Sequence, residues 1–340
     1  MLCSVGVAVL TLAGCGQLSQ TELEAIRTEP VGGAGCTRRG QGSPFIRAKG
    51  GPQICAIPAW VTLARSDGIT TLVKGRVMRL VSFAGGFGRV EGSMVVPMGE
   101  DLVGYLAGTP ERAGLPVPLA DLRLTAPVPR PGKVICIGLN YADHAAEAGL
   151  PLPAHPVVFA KWANSVVGPG ARVAIPPATS QVDFEAELGV VIGRTARRLD
   201  AADALTAVAG YTVMNDLSAR DLQFSGPQWT YGKAIDGFLP MGPVLVTADE
   251  LPDPQALPLG CRVNGEDRQR SNTKQMLFGV AELVAYLSQV MTLEPGDVIA
   301  TGTPPGVAMA APEPRWLKAG DEVTVWVEGI GELTTYLVAG

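Results

Sequence analysis

Asp183, Glu185 and Glu187 stand at every second position of "DFEAELGVVIG", residues 183–193, with apolar Phe184, Ala186 and Leu188 between them. Alternation with period two is the signature of a β-strand, and residues two apart in a strand share a face. Glu185 and Glu187 are therefore expected side by side on a strand that otherwise reads as core. Like charges so close repel, and burial deepens the repulsion. Two situations relieve it: the face lies in water, or a cation sits between the carboxylates. The chain has only two histidines, His144 and His155, and its six cysteines show no zinc-type spacing. A metal held here must be bound mainly through oxygen, which points to Mg²⁺, Mn²⁺ or Ca²⁺.

Other segments offer further chemistry. "NYADHAAEAGL", 140–150, reads as a short helix starting near Asn140 or Asp143 and stopping at Gly149. His144 and Glu147 are three apart and share its face. A carboxylate beside an imidazole orients it and raises its basicity, as a general base requires; the same spacing also describes an ordinary surface pair. "YTVMNDLSARDLQ", 211–223, is an apolar strand running into a polar turn with Asp216, Arg220, Asp221 and Gln223. "YGKAIDGFLPMGPVLV", 231–246, places Lys233 and Asp236 in a glycine-bounded loop before a strand. "PGDVIATGTPPGV", 295–307, is a strand that ends in a loop of hydroxyls, glycine and proline. It lacks the Gly-Lys-Ser/Thr ending of a P-loop, yet its backbone N–H groups and Thr303 suit an anion.

The elements that must position these groups belong to an ordinary globular chain. The 340 residues allow two domains. Apolar residues make up 47% and charged ones 17%, and 42 Gly with 28 Pro imply many turns and a β-rich fold. The net charge of -5, without a basic cluster, excludes nucleic acid as an expected partner. Residues 1–77 hold Cys3, Cys15, Cys36 and Cys55 and show little periodicity. "MLCSVGVAVLTLAGC" looks like a lipoprotein signal ending at Cys15 but has no basic n-region, and its apolar run is too short to span a membrane. The alternative is that the functional chain begins at Met78, where "MRLVSFAGGFGRVEG" reads as a strand and a glycine turn. Residues 1–77 are then an extension, expected to be loosely packed. Residues 78–127 read as a small unit of short strands, and Pro127, Pro129 and Pro131 as a stiff linker before the buried strand in "KVICIGLNY".

In order and wording, "GLNYADHAAEAG", "PVVFAKWANSVVGPG", "DFEAELGVVIG", "NDLSARDLQ", "GKAIDGFLPMGP", "RVNGEDRQRSNTKQMLF", "LEPGDVIATGTPPGV" and "LKAGDEVTVWVEGIGEL" resemble the fumarylacetoacetate hydrolase family. They span 133–340, which the resemblance makes the catalytic domain; 78–127 resembles the N-terminal module of many bacterial members. The implied fold is α+β and β-rich, a mixed sheet rolled on itself with few helices, and the implied assembly is a homodimer. The family's three-carboxylate site for Mg²⁺ or Mn²⁺ falls on Glu185, Glu187 and Asp216. Its His-x-x-Glu falls on His144 and Glu147, its catalytic lysine on Lys233, and its substrate contacts on Arg220, Gln223 and Thr303. Eukaryotic members carry a further Asp ligand where this chain has Asn140, so the chain resembles the three-carboxylate bacterial and acylpyruvase-like branch.

Family substrates are small 2-oxo acids. Their carboxylate and 2-oxo oxygen can chelate one metal, whose Lewis acidity stabilises the enolate formed when a carbon–carbon bond breaks. For hydrolysis, His144 oriented by Glu147 deprotonates water and Lys233 stabilises the oxyanion. This intact pair points to a hydrolase of 2,4-dioxo acids such as acylpyruvates or fumarylacetoacetate. Decarboxylation of a 2-oxo diacid and isomerisation of a 2-hydroxy-dienoate use the same enolate and stay open. A reading of another class is a non-catalytic binding protein anchored through a lipid on Cys15; otherwise the expected location is the cytoplasm, away from any membrane.

Overall fold

The computed structural model describes residues 63–66, 69–72, 78–147 and 151–340, with the side chains of 63–72 and 144–146 left aside. The chain divides into two units, Met1–Lys74 and Gly75–Gly340. In the first, Leu63–Ser66 pairs antiparallel with Ile69–Leu72. The expectations for the rest of residues 1–77, the Cys15 anchor and the loose packing included, fall outside the described residues. Among the described residues no helix is long and apolar enough to cross a membrane.

The second unit is β-rich with few helices, as its glycine and proline content implies. In chain order its main elements are β1 (Arg79–Phe83), β2 (Gly86–Glu91), β3 (Met94–Gly99), α1 (Leu102–Leu106), β4 (Val134–Gly138), α2 (Ala142–Glu147) and β5 (Val157–Lys161). There follow β6 (Ala186–Ile192), β7 (Val208–Asn215), α3 (Arg220–Gln223), α4 (Thr230–Lys233), β8 (Leu239–Thr247), β9 (Pro258–Val263) and β10 (Glu266–Asn272). The last are α5 (Val280–Val290), β11 (Val298–Ala300), β12 (Glu322–Val327) and β13 (Gly331–Ala339).

A large sheet runs β3-β2-β1-β8-β7-β6-β11-β4-β5, with Val117–Pro118 beyond β3 and Val166–Val167 beside β8. It is mixed: β11 pairs with β4 in parallel, while β6 pairs antiparallel with both β7 and β11. A second sheet runs Arg172–Ile175, β13, β12, β9, β10. The hairpin expected from "DEVTVWVEGIGELTTYLV" is β12–β13.

The unbroken apolar run in "LGVVI" follows from burial on both faces. Leu188, Val190 and Ile192 of β6 pack in one cluster with Leu259, Cys261, Val323, Val325 and Leu333 of the second sheet. Val191, one step out of phase, packs in another with Val134, Cys136, Met214, Leu239 and Met241. Period two puts Glu187 on the Val191 face and Asp216 on the Met214 face. The acidic groups thus lie on the side of the large sheet turned away from the second sheet.

Residues 78–127 contribute β1–β3 to this same large sheet, because β1 pairs with β8. The proline-rich segment after them, expected as a stiff linker, is packed: Val128 and Ala126 are buried, and Pro127 O accepts from Ser82 Oγ at 2.8 Å. Prolines lack an N–H, so such a segment can lie against a core while leaving fewer donors to satisfy.

Candidate metal centre

The strand expected over 183–193 is broken. Val182–Asp183 forms its own two-residue strand against Ser218–Ala219, and β6 begins only at Ala186. The break separates the three acidic residues. Asp183 Oδ1 accepts from the N–H groups of Phe184 and Ala308 at 2.9 and 2.7 Å, and Oδ2 from that of Met309 at 3.1 Å. Glu185 and Glu187 instead meet Asp216 from the end of β7. One oxygen from each of the three lies within 4.8 Å of the others, and all three residues are buried.

Backbone pairing holds this convergence. Ala186 is opposite Asn215 in the β6–β7 ladder. Just beyond it, Asp216 N–H donates to Glu185 O at 3.0 Å and Asn215 Oδ1 accepts from Glu185 N–H at 3.1 Å. The loop after β11 closes the far side, where Gly302 N–H donates to Glu187 Oε2 at 2.8 Å. Gly302 has φ +98°, and a Cβ there would stand 2.8 Å from Asn140 Cβ, so this approach needs glycine.

Three buried cations serve the carboxylates. Arg220 reaches Asp183 Oδ2 through Nε at 2.9 Å and Glu185 Oε1 through Nη2 at 2.7 Å. Lys233 Nζ bridges Glu185 Oε2 at 2.7 Å and Asp216 Oδ2 at 2.9 Å, with the Phe159 ring centroid 5.0 Å away. Lys161 Nζ stands 2.5 Å from Asp216 Oδ1 and 2.9 Å from Leu217 O. Glu187 has no cationic side chain in ion-pair contact among the described residues.

The acidities follow this arrangement. Burial, then the charges of Asp216 and Glu185, push the Glu187 carboxyl well above the usual carboxylate range. Burial acts on Glu185 too, but Lys233 and Arg220 outweigh it and hold that carboxyl low. Burial lowers Lys161 despite Asp216. Lys233 is raised, since the attraction of Asp216 and Glu185 exceeds its burial cost.

The donor set fits a hard divalent cation. It is all oxygen, it is buried, and three cationic side chains face four carboxylates, so the fully ionised set carries one negative charge for a cation to balance. Among the described residues Glu187 is the carboxylate of the four with no cationic side chain in contact, and burial and its like-charged neighbours disfavour its charged form.

The other expected residues fall as follows. Arg220, Gln223 and Thr303 are buried and engaged within the protein: Gln223 Oε1 accepts from Arg220 Nη1 at 2.9 Å, and Thr303 Oγ1 donates to Ala186 O at 3.1 Å. His144 lies on α2, but its side chain is outside the described residues. Both oxygens of Glu147 accept from Gly306 N–H at 3.1 Å, and Ser271 Oγ donates to Asp143 Oδ2 at 3.3 Å, so α2 is docked on the loop after β11 and on β10. Asn140 donates to Thr301 O and Phe278 O at 2.8 and 3.0 Å and accepts from Phe278 N–H at 2.9 Å. A carboxylate has no N–H and could not make those two donations.

Two residues escaped the sequence reading. Lys161 is one; its signal was a lone lysine closing the apolar strand "VVFAK". Gln269 is the other, on β10. Its amide accepts from Ala186 N–H at 2.9 Å and donates to Thr303 Oγ1 and Pro304 O at 2.8 Å each, which ties β6 to the loop after β11.

The chain is similar in sequence and in fold to known proteins. The model of the fumarylacetoacetate hydrolase C-terminal domain matches residues 133–338. The mitochondrial oxaloacetate tautomerase FAHD2A of Bos taurus is 48% identical over 227 residues, 66% of this chain and 72% of that protein. The structure of 2-hydroxyhepta-2,4-diene-1,7-dioate isomerase from Mycobacterium marinum superposes with a TM-score of 0.67 at 40% identity, covering 77% of this chain and 98% of that one. Fumarylacetoacetate hydrolase from the psychrophile Exiguobacterium antarcticum gives a TM-score of 0.70 at 39% identity, covering 77% of this chain and all of the other.

Proposed function

The chain belongs to the fumarylacetoacetate hydrolase family of enzymes, and from that premise we propose that it converts a small 2-oxo acid through its enolate, with keto–enol isomerisation as the reaction. The observation that carries this reading is the convergence of buried Glu185, Glu187 and Asp216, with Lys233 between two of them. These carboxylates are the ligands we assign to Mg²⁺ or Mn²⁺. When bound there, such a cation supplies Lewis-acid polarisation of the 2-oxo group.

The chain's own residues do the rest. Lys233, walled by Phe159, presents a fixed positive charge toward the developing enolate oxygen. His144 moves the proton at the carbon beside the 2-oxo group, and Glu147 holds its helix against Gly306. Arg220 holds Asp183 and Glu185 in place, Gln223 accepts from its guanidinium, and Thr303 shapes the anion loop. Isomerisation is favoured by the names of the tautomerase and of the dioate isomerase, at 48% and 40% identity. The tautomerase makes a four-carbon 2-oxo diacid the first substrate to try.

Hydrolysis of a carbon–carbon bond in a 2,4-dioxo acid is the second reading. It is favoured by the His144–Glu147 spacing on a docked helix and by the hydrolase relative at 39% identity. There His144 takes the proton of a water that attacks the distal carbonyl carbon, the bond from that carbon to the neighbouring methylene breaks to give a carboxylic acid, and the departing pyruvate enolate takes the proton back at carbon. Decarboxylation of a 2-oxo diacid needs the same enolate and no water. A homodimer is part of the proposal; Trp162, Phe224 and Tyr231 stand 61%, 53% and 68% exposed, apolar area that a second copy would cover.

One assay separates the reactions. Enzyme with Mg²⁺ or Mn²⁺ is given enol oxaloacetate, an acylpyruvate and a 2-hydroxy-dienedioate. Fast loss of enol absorbance without CO₂ or pyruvate release supports isomerisation. Pyruvate released from the acylpyruvate at a higher kcat/KM replaces it with hydrolysis, and CO₂ release with decarboxylation. Light scattering reads the dimer.

A further inference from the structure

Lys161 has no part in the reaction above, yet it is the most enclosed cation of the centre, with no exposed side-chain area. It closes β5, where the alternation of half-buried and exposed residues ends in a buried lysine. Its ammonium takes Asp216 Oδ1 and Leu217 O, while Lys233 takes Asp216 Oδ2 and Glu185 Oε2. Asp216 is therefore held on two sides. Oδ2 shares the Lys233 ammonium with Glu185, and Oδ1 takes that of Lys161.

We propose that Lys161 is a positioning residue that sets the charge of the centre, weakening its hold on the divalent cation and strengthening its hold on the anionic substrate. This rests on the metal reading of Glu185, Glu187 and Asp216. The physics is that of a fixed charge in a buried site, where neither water nor salt screens it well. With Lys161, four carboxylates and three cations, all in the ionised form a bound divalent cation favours, sum to one negative charge, which the cation turns into one positive charge. An incoming carboxylate is then attracted. Without Lys161 the same centre starts with two negative charges and ends neutral. The cation is held more tightly and the anion loses its attraction. General damage to the site weakens both, so opposite signs separate the charge role from a structural one.

The test uses the full chain carrying Lys161→Met, with Lys161→Gln as a second neutral variant that keeps a donor toward Asp216. Calorimetry measures Mn²⁺ binding, and then oxalate binding to the Mn²⁺-saturated protein. Oxalate carries the adjacent oxygens of a 2-oxo acid. The Mn²⁺ dissociation constant is expected to fall, and that of oxalate to rise, each by about tenfold or more. Constants that stay put, or that both rise, overturn the inference while leaving the metal centre standing. Failure of both variants to fold assigns Lys161 to folding and overturns it as well. A parent chain that takes no Mn²⁺ overturns the metal centre and this inference with it.

Discussion

Gly302 N–H donates to Glu187 Oε2 at 2.8 Å, so the loop after β11 is tied directly to the carboxylate of the centre that has no cation partner among the described residues. The bond needs an oxygen acceptor but no charge. Glu187→Gln therefore keeps the loop in place while removing an anionic ligand. Mn²⁺ titration of this variant is expected to show at least a hundredfold weaker binding, about 2.7 kcal/mol. Its melting temperature without metal should equal or exceed the parent's, because burial and the charges of Asp216 and Glu185 oppose a charge at this position. A parental Mn²⁺ isotherm would remove Glu187 from the ligand set.

Arg220 forks between Asp183 and Glu185 inside the protein, and Gln223 takes a third donor. Arg220→Met leaves two buried carboxylates short of a partner. Losing one member of a buried pair costs about 3–5 kcal/mol. Urea unfolding should show a loss of that size, with added Mn²⁺ restoring only part of it. A variant as stable as the parent, with a raised KM alone, would return Arg220 to a substrate-contact role.

His144 sits on a helix that Glu147 and Asp143 dock by hydrogen bonds to Gly306 and Ser271. His144→Ala should lower kcat by about two to four orders of magnitude, the usual contribution of a positioned base. Mn²⁺ affinity should stay within about twofold, since the proposed ligands come from β6 and from the residues just ahead of β6 and just after β7. His155, which stacks on Tyr286 with ring centroids 6.3 Å apart, should tolerate alanine. A His144→Ala enzyme that turns over at the parental rate would leave proton transfer to another group.

Residues Gly75–Gly340 form one contact unit, and the family model starts only at 133. A chain beginning at Met78 keeps β1–β3 on the large sheet and the whole centre. It should be folded and as active as the full chain, by thermal melting and kcat/KM. A chain beginning at Lys133 should aggregate or lose stability, because it exposes the β8 edge that β1 covers and the core around Leu80, Phe87 and Met98. Full activity of that shorter chain would make 78–127 dispensable.

The sequence by itself determined the strand that carries Glu187, the face Glu187 shares with Val191, the β-rich class and the hairpin at the C-terminus. These are local facts: a period of two and a glycine turn are written in neighbouring residues. The resemblance added Asp216 and Lys233, which no spacing rule would have joined to Glu185. Only the tertiary structure decided which face is sealed, and so turned a row of carboxylates from a solvated edge into a buried charge problem. It also broke the row. Asp183 left for Arg220 and the backbone of Ala308 and Met309, 125 and 126 residues away. Lys161 entered from 55 residues before Asp216, and Gln269 from 83 beyond Ala186. Periodicity specifies how side chains leave one strand, but it carries nothing about which distant cation arrives to balance them. That balance is set by the packing of strands far apart in the chain, in a place where water no longer screens the charge.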